Sequence, residues 1–296
     1  MTDDTTPLRA RRYDTAEWTL TSQKDRTDPW SEITVFAVVE DDAGAIMRVP
    51  AFWDGGRTWK VRVSTKATGR FRLRTECSDT EDRGLHGQTA TLEVGVGGDD
   101  KNVLLQRGPI ELRPGGGSLQ HADGTPFHWF ADTWWMLTSE RVAWPDDFQR
   151  LIDHRVEQGF TVAQIVVGFP PDTTPFDGRD ANAGGSPWLP DYRSINPTHF
   201  QAVDRRLKAM IDRGLVPCIL GGWGYHALFM GTDRFIAHWR YLVARYAAWP
   251  VIWCLAGEGA MPYYLSADPA GDTERLRAIW PEIARESARS IPTGGH

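Results

Sequence analysis

The sequence predicts a multidomain β plus α/β protein, an antiparallel β-sandwich followed by parallel strand–helix units. Three observations predict it. From about residue 8 to 96, apolar and polar residues alternate with period two, as half-buried strands do. From residue 125 onward, continuous apolar strands alternate with stripes of helical period. Between them lies a glycine-rich stretch, with GGDD at 97–100 and PGGGS at 114–118.

The first half is read strand by strand. In RFRLRTEC (70–77), Phe71, Leu73 and Thr75 fall on one face and Arg70, Arg72 and Arg74 on the other. TWKVRVST (58–65) repeats this, with Trp59, Val61 and Val63 opposite Lys60 and Arg62. EITVFAVVE (32–40) is apolar on both faces and is expected to be a central strand. Turn signals at Asp54-Gly55-Gly56, Thr68-Gly69 and Asp41-Asp42-Ala43-Gly44 punctuate these runs. About six short strands with hairpin turns make an Ig-like sandwich over residues 8–100, after a disordered tail at 1–7. Residues 101–124 are expected to be a connector, in which LLQRGPIEL forms one more strand or a hairpin. Its glycines have a phosphate-loop look, but no Lys-Ser/Thr follows them.

In the second half, residues 125–296, FHWFAD (127–132) is the first strand. A helix follows at about 146–158, with Phe148, Leu151, Ile152 and Val156 on one stripe and Gly159 as its stop. FTVAQIVVGF (160–169) is the second strand, apolar throughout as a strand covered on both sides should be. After a Pro/Gly/Asp-rich loop, Asn196-Pro197 opens a helix in N-cap and N1 style, and Gly214 ends it. LVPCILGGWGY (215–225) is the third strand, Asp233 to Ala248 the third helix, PVIWCLAGE the fourth strand, and Thr273 to Arg289 the fourth helix. Four such units fit either a small open sheet or half of an eight-fold barrel. An open nucleotide-binding sheet would show a glycine fingerprint after its first strand. Here that strand ends in Asp132-Thr133-Trp134-Trp135, and polar and aromatic groups gather at the C-terminal strand ends. That favours the barrel of TIM type, with its first four βα units present.

Composition narrows the function classes. The formal net charge of −6, with one short basic run at Arg9-Ala10-Arg11-Arg12, argues against a nucleic-acid groove. No segment is apolar enough to cross a bilayer, and MTDDTTPLRA has no signal-peptide core, so a cytoplasmic location is expected; a mis-called start would leave secretion open. Cys77, Cys218 and Cys254 are widely spaced, and the last two lie in apolar runs as buried free thiols. No HxH or HExxH spacing supports a metal, no GxSxG elbow appears, and no cofactor is expected. The tryptophan content is high: 14, with 7 tyrosines and 12 phenylalanines, which serve cores and also stack on sugar rings.

The strand ends supply Asp132, Trp134, Trp135, Gln164, Trp223, Tyr225, His226 and Glu258, with Tyr263 and Tyr264 just beyond. Carboxylates among tryptophans suit glycoside cleavage, in which one carboxyl protonates the leaving oxygen. Glu258 suits the acid/base role, because it follows an apolar strand and its flanking glycines admit a substrate closely. The alternative is that Glu258 caps the next segment or pairs with an arginine. Asp132 binds substrate or caps the turn after the first strand. The remaining residues of the set are candidate sugar contacts, some of the tryptophans belonging instead to the core.

HADGTPFHWFADTWW resembles the opening strand of the apiosidase-like glycoside hydrolase domain, a TIM-barrel retaining glycosidase family. VEQGFTVAQIVV, RGLVPCILGGWG, YLVARYAAWPVIWCLAGE and MPYYLS are similar to the strands and helix that follow in that family. AFWDGGRTWKVRVS and TGRFRLRTECSD resemble the uncharacterised β-sandwich domain that often precedes it. The resemblance implies a carbohydrate substrate, Glu258 as the acid/base at the end of strand 4, and a binding or structural role for Asp132. It also implies a nucleophile late in the barrel, around strand 7. No counterpart of that carboxylate is found: Asp172, Asp177 and Asp191, on or near the strand-2 loop, do not match the motif. The chain is therefore read as truncated after unit 4, with self-association through an open half-barrel as one way to close it. A non-catalytic carbohydrate-binding or interaction protein is the alternative function.

Overall fold

The computed structural model describes residues 6–97 and 101–292. The first five residues of the expected tail, the last three of GGDD and the final four of the chain lie outside the described residues.

One compact unit comprises residues 1–126 with Val243–Trp249 and Ser290–His296. Its elements are β1 (Leu8–Arg11), β2 (Ala16–Thr21), α1 (Pro29–Glu32), β3 (Val35–Asp41), β4 (Ile46–Pro50), β5 (Phe52–Gly55), β6 (Thr58–Val63), β7 (Gly69–Cys77) and β8 (Thr89–Gly95). They make a five-stranded sheet, β1-β8-β7-β3-β4, and a three-stranded sheet, β2-β6-β5. Phe71 and Leu73 of β7, Ala37 and Val39 of β3, and Trp59, Val61 and Val63 of β6 share one hydrophobic core. The period-two alternation of β7 is therefore a burial pattern, with its arginines outward.

One expectation is corrected here. The five-stranded sheet is not wholly antiparallel, because β1 pairs with β8 in parallel. These strands are joined by no hairpin, and the long chain between them leaves either direction open. The face of Lys60 and Arg62, opposite Trp59, is covered at Arg62. Arg62 is buried, with Nε 2.9 Å from Glu17 Oε2 and Nη1 donating to the Arg245 carbonyl at 2.9 Å. Arg245, fully buried in the same unit, pairs with Asp54 at 2.9 Å.

LLQRGPIEL divides into α2 (Val103–Arg107) and β9 (Ile110–Leu112), and β9 pairs antiparallel with β10 (Leu119–His121). Helix α2 starts there because Asn102 accepts a hydrogen bond from the Leu104 N–H at 3.0 Å.

The second unit comprises Phe127–Leu242 and Pro250–Arg289. It runs β11 (Ala131–Trp134), α3 (Asp146–Glu157), β12 (Val162–Val166), α4 (Pro197–Asp212), β13 (Val216–Leu220), α5 (His226–Met230), α6 (Thr232–Tyr246, counted with the first unit from Val243 on), β14 (Ile252–Cys254) and α7 (Pro269–Arg289). The four strands are parallel and in sequential order, β11-β12-β13-β14, with no reversal and hence no switch point of the doubly wound kind.

Several boundaries differ from expectation. The first strand starts at Ala131 rather than Phe127, and His128, Trp129 and Phe130 are exposed ahead of it. Phe130 bonds to Thr161 and, through its carbonyl, to the Val162 N–H at the very start of β12, and the paired register begins only at Ala131. The fourth strand is three residues long, and α7 starts at Pro269 instead of Thr273. Asn196 is the N-cap residue of α4 but makes no side-chain cap. Its amide donates instead to the Gly184 and Ser186 carbonyls, holding the preceding loop. The thiol of Cys254 is only half-buried, because β14 ends the sheet order, whereas Cys218 is buried as expected.

Candidate active site

Register decides which side chains meet. Thr133, Gln164 and Cys218 are neighbours across β11, β12 and β13 and so point to one face of the sheet. Asp132, Trp134 and Trp253 point to the other. That face is covered by helices: Trp253 meets Trp239 of α6 edge-on at 5.9 Å, and Asp132 meets Arg155 of α3. Gln164, on the open face, approaches the Cys254 thiol at 3.5 Å.

Asp132 is thereby committed. Its Oδ2 accepts from Arg155 Nε at 2.6 Å and Trp134 Nε1 at 3.0 Å, and its Oδ1 from the Thr133 N–H at 2.8 Å. Partial burial works to raise its pKa, but the Arg155 bond and the two N–H donors override this and hold the carboxyl below the usual range. The arginine pairing weighed for Glu258 belongs to Asp132.

Glu258 has a different setting. The chain leaving β14 is pinned to the end of β13: Trp223 and Gly257 form a parallel bridge, and the Gly224 N–H donates to the Gly257 carbonyl at 2.7 Å. The approach requires glycine. A Cβ on Gly257 would sit 2.3 Å from the Trp223 ring, and one on Gly224 would sit 2.6 Å from the Glu258 carbonyl. Glu258 itself takes a left-handed φ of 47° and its side chain is exposed. Among the described residues, no arginine or lysine pairs with it.

An aromatic group surrounds this turn. Trp135 meets Trp223 edge-on at 5.2 Å. Tyr263 lies 5.2 Å from Tyr225 and 5.4 Å from Phe229, and Tyr264 lies 6.2 Å from Tyr263. The Tyr264 phenol is hydrogen-bonded to the Asp172 carboxylate. Partial burial, that bond, and the charges of Asp172 and Glu258 push its pKa up to about 12. Asp172 itself sits in the loop after β12 with a left-handed φ of 68°.

The expected contacts separate into two sets. Glu258, Trp135, Tyr263 and Gln164 have exposed surface, whereas Trp134, Trp223, Tyr225 and His226 are buried. His226 shows why: its Nε2 donates to the Pro170 carbonyl at 2.9 Å, anchoring the loop that carries Asp172, and burial pulls its pKa down to about 4. Trp223 forms the floor under Gly257. Sequence reasoning missed Phe229, an exposed ring on α5, because HALFM, just past the third strand, is too short to display a period. The glycines before it, which end the strand, were the available signal. Among the described residues, no cluster of histidine, cysteine or carboxylate groups could hold a metal ion, and no helix is long and apolar enough to cross a membrane.

Comparison with known proteins places this geometry in a family. Residues 114–294 match the family model described as apiosidase-like, catalytic domain, and residues 9–78 match a domain of unknown function, DUF5060. No curated protein matches. A candidate glycoside hydrolase from Bacteroides vulgatus ATCC 8482 is similar in structure, with a TM-score of 0.72 at 19% identity over 97% of this chain and 54% of that one. A family 5 glycoside hydrolase from the same organism has a TM-score of 0.45 at 19% identity, covering 64% of this chain and 38% of that one, a likeness too low to carry an argument. The chain thus spans about half the length of the first of these.

Proposed function

The chain belongs to the apiosidase-like catalytic domain family, and from that premise we propose that it serves hydrolysis of O-glycosidic bonds with retention, Glu258 acting as general acid and then general base. In the first step the Glu258 carboxyl protonates the departing glycosidic oxygen while a second carboxylate attacks the sugar. In the second step Glu258 takes a proton from the water that releases the sugar. The nucleophile in this reading comes from a late strand of a complete TIM-type barrel, of which β11 to β14 are the first four strands. Residues 125–296 are assigned to that barrel and residues 8–100 to a β-sandwich.

One observation carries the assignment: an exposed carboxylate, free of any cation among the described residues, held in a left-handed turn against Trp223. A residue kept in that backbone conformation without being glycine points to a demand on its side chain. Trp135, Phe229, Tyr263 and Tyr264 supply the sugar-stacking surface in this reading, and Gln164 a hydroxyl contact. Asp132 has the structural role, because its acceptors are filled by Arg155, Trp134 and its own turn.

The test is hydrolysis of aryl and alkyl glycosides by this chain joined to a complete barrel, as wild type and as Glu258→Gln. Turnover lost in the variant supports the acid/base role. Sugar binding that quenches tryptophan fluorescence without any turnover supports the second reading, a carbohydrate-binding protein that keeps the aromatic surface.

A further inference from the structure

The outward face of the five-stranded sheet is charged out of keeping with a chain of net charge −6. Arg9 and Arg11 of β1, Arg70, Arg72 and Arg74 of β7, and Arg48 of β4 all point away from the core. Three glutamates, Glu40, Glu76 and Glu93, share the face with them. They do not neutralise it. Glu76 is divided between Arg74 at 3.1 Å and Arg48 at 3.5 Å, Glu40 meets Arg72 at 3.1 Å, and Glu93 meets Arg9 at 3.4 Å. Arg70 has no ion pair among the described residues. The arginines in these pairs are more than half exposed, so the pairs are weak and a bound anion can exchange with the glutamates.

We propose that this face binds an acidic polysaccharide, holding its carboxylate groups on the arginine ridge of β7, at a site separate from Glu258 and independent of the reading given to it. Three features select that ligand. The cations on these strands are all arginine, whose planar fork takes a carboxylate in two parallel hydrogen bonds, as lysine cannot. The strand repeat spaces Arg70, Arg72 and Arg74 about 6.6 Å apart, so together they span about 13 Å of exposed strand. That suits an extended polymer with recurring charge rather than one small anion. Apolar surface lies beside the ridge: Val38 separates Arg74 from Arg48 in the register, and Ile46 is exposed. These offer C–H contact to a sugar ring. A single-stranded nucleic acid would need open aromatic faces for its bases. The aromatic ring on this face, Phe36, is instead covered by the Arg48 guanidinium at 3.7 Å.

The experiment is affinity electrophoresis and calorimetry of the full chain against polygalacturonate, neutral dextran and single-stranded DNA, at low and high salt. The variants are Arg70→Gln/Arg72→Gln/Arg74→Gln together, Arg70→Gln alone, and Arg277→Gln/Arg285→Gln on the exposed face of α7 as a control for arginines lost elsewhere on the chain. Circular dichroism checks that each folds. The expected result is salt-sensitive binding of polygalacturonate, none of dextran, and affinity reduced about tenfold or more in the triple variant while the control pair behaves as wild type. Arg70→Gln, which removes a cation without freeing a glutamate, should weaken binding by a smaller factor. Undiminished binding by the triple variant, no binding of polygalacturonate at low salt, or tighter binding of DNA would each overturn the proposal.

Discussion

Glu258 carries two features that pull in opposite directions on stability and function. Its left-handed backbone costs a non-glycine residue about 1–2 kcal/mol, and the pinned turn around Gly224 and Gly257 holds it there. Glu258→Gly should therefore raise the urea midpoint, by up to about 1 kcal/mol in unfolding free energy, while abolishing turnover. A variant that is both less stable and inactive would contradict this. Asp132 is the opposite case. Asp132→Asn should destabilise the fold by about 1–3 kcal/mol in a urea titration, since Arg155 loses its charged acceptor, and it should leave sugar binding close to wild type. At this scale the sequence exposes Glu258 well, because an apolar run ending in Gly-Glu-Gly is visible in one dimension. The Asp132–Arg155 pair is not, because it depends on which face of β11 looks toward α3, and alternation along one strand does not say which face the helix covers.

At the scale of elements, the turn joining β14 to α7 is built on close backbone approach. Gly257→Ala would place a methyl 2.3 Å from the Trp223 ring, and that ring is buried and cannot yield freely. A loss of about 1–3 kcal/mol and a changed tryptophan emission are expected, whereas alanine at Gly95, where a Cβ meets nothing, should change little. Equal effects at the two positions would count against the pinned turn. Elements with strong period were legible: β7 alternates as written, and α3, α4 and α6 fall within a few residues of their stripes. Short ones were not. Helix α5 has five residues, too few to display a period, and it brings Phe229 to the site. The burial of Arg62 leaves no mark in the alternation, which says which residues share a face but not what covers that face.

Across the whole molecule, acid should be destabilising for a reason other than surface carboxylates. His226 and His238 are buried and neutral, each held near a pKa of about 4 by burial despite hydrogen bonds to backbone carbonyls. The unfolded chain binds these protons near pH 6.5, so it takes up more protons than the folded one between those values. Stability is then full above about pH 6.5 and falls as pH drops toward 4, by on the order of 3 kcal/mol for each histidine. The lowered pKa of Asp132 adds a further loss at still lower pH. Urea midpoints between pH 7 and 4.5 check this: the slope should shrink in His226→Gln, and an unchanged slope would contradict the assignment. The broad class, β followed by α/β, was legible because it rests on periodicity summed over many residues. The parallel β1–β8 pair joins strands roughly eighty residues apart and leaves no local trace.

Whether Glu258 donates the proton to the leaving group is read most plainly from leaving-group dependence. The measurement is kcat/KM for two glycosides of one sugar, one with a poor alkyl leaving group and one with an activated dinitrophenyl group, by the chain joined to a complete barrel, in wild type and Glu258→Gln. The account predicts a fall of about 10²–10⁴ on the alkyl glycoside and a far smaller fall on the activated one, which leaves without protonation. Equal falls on both substrates, or no fall on either, would contradict it.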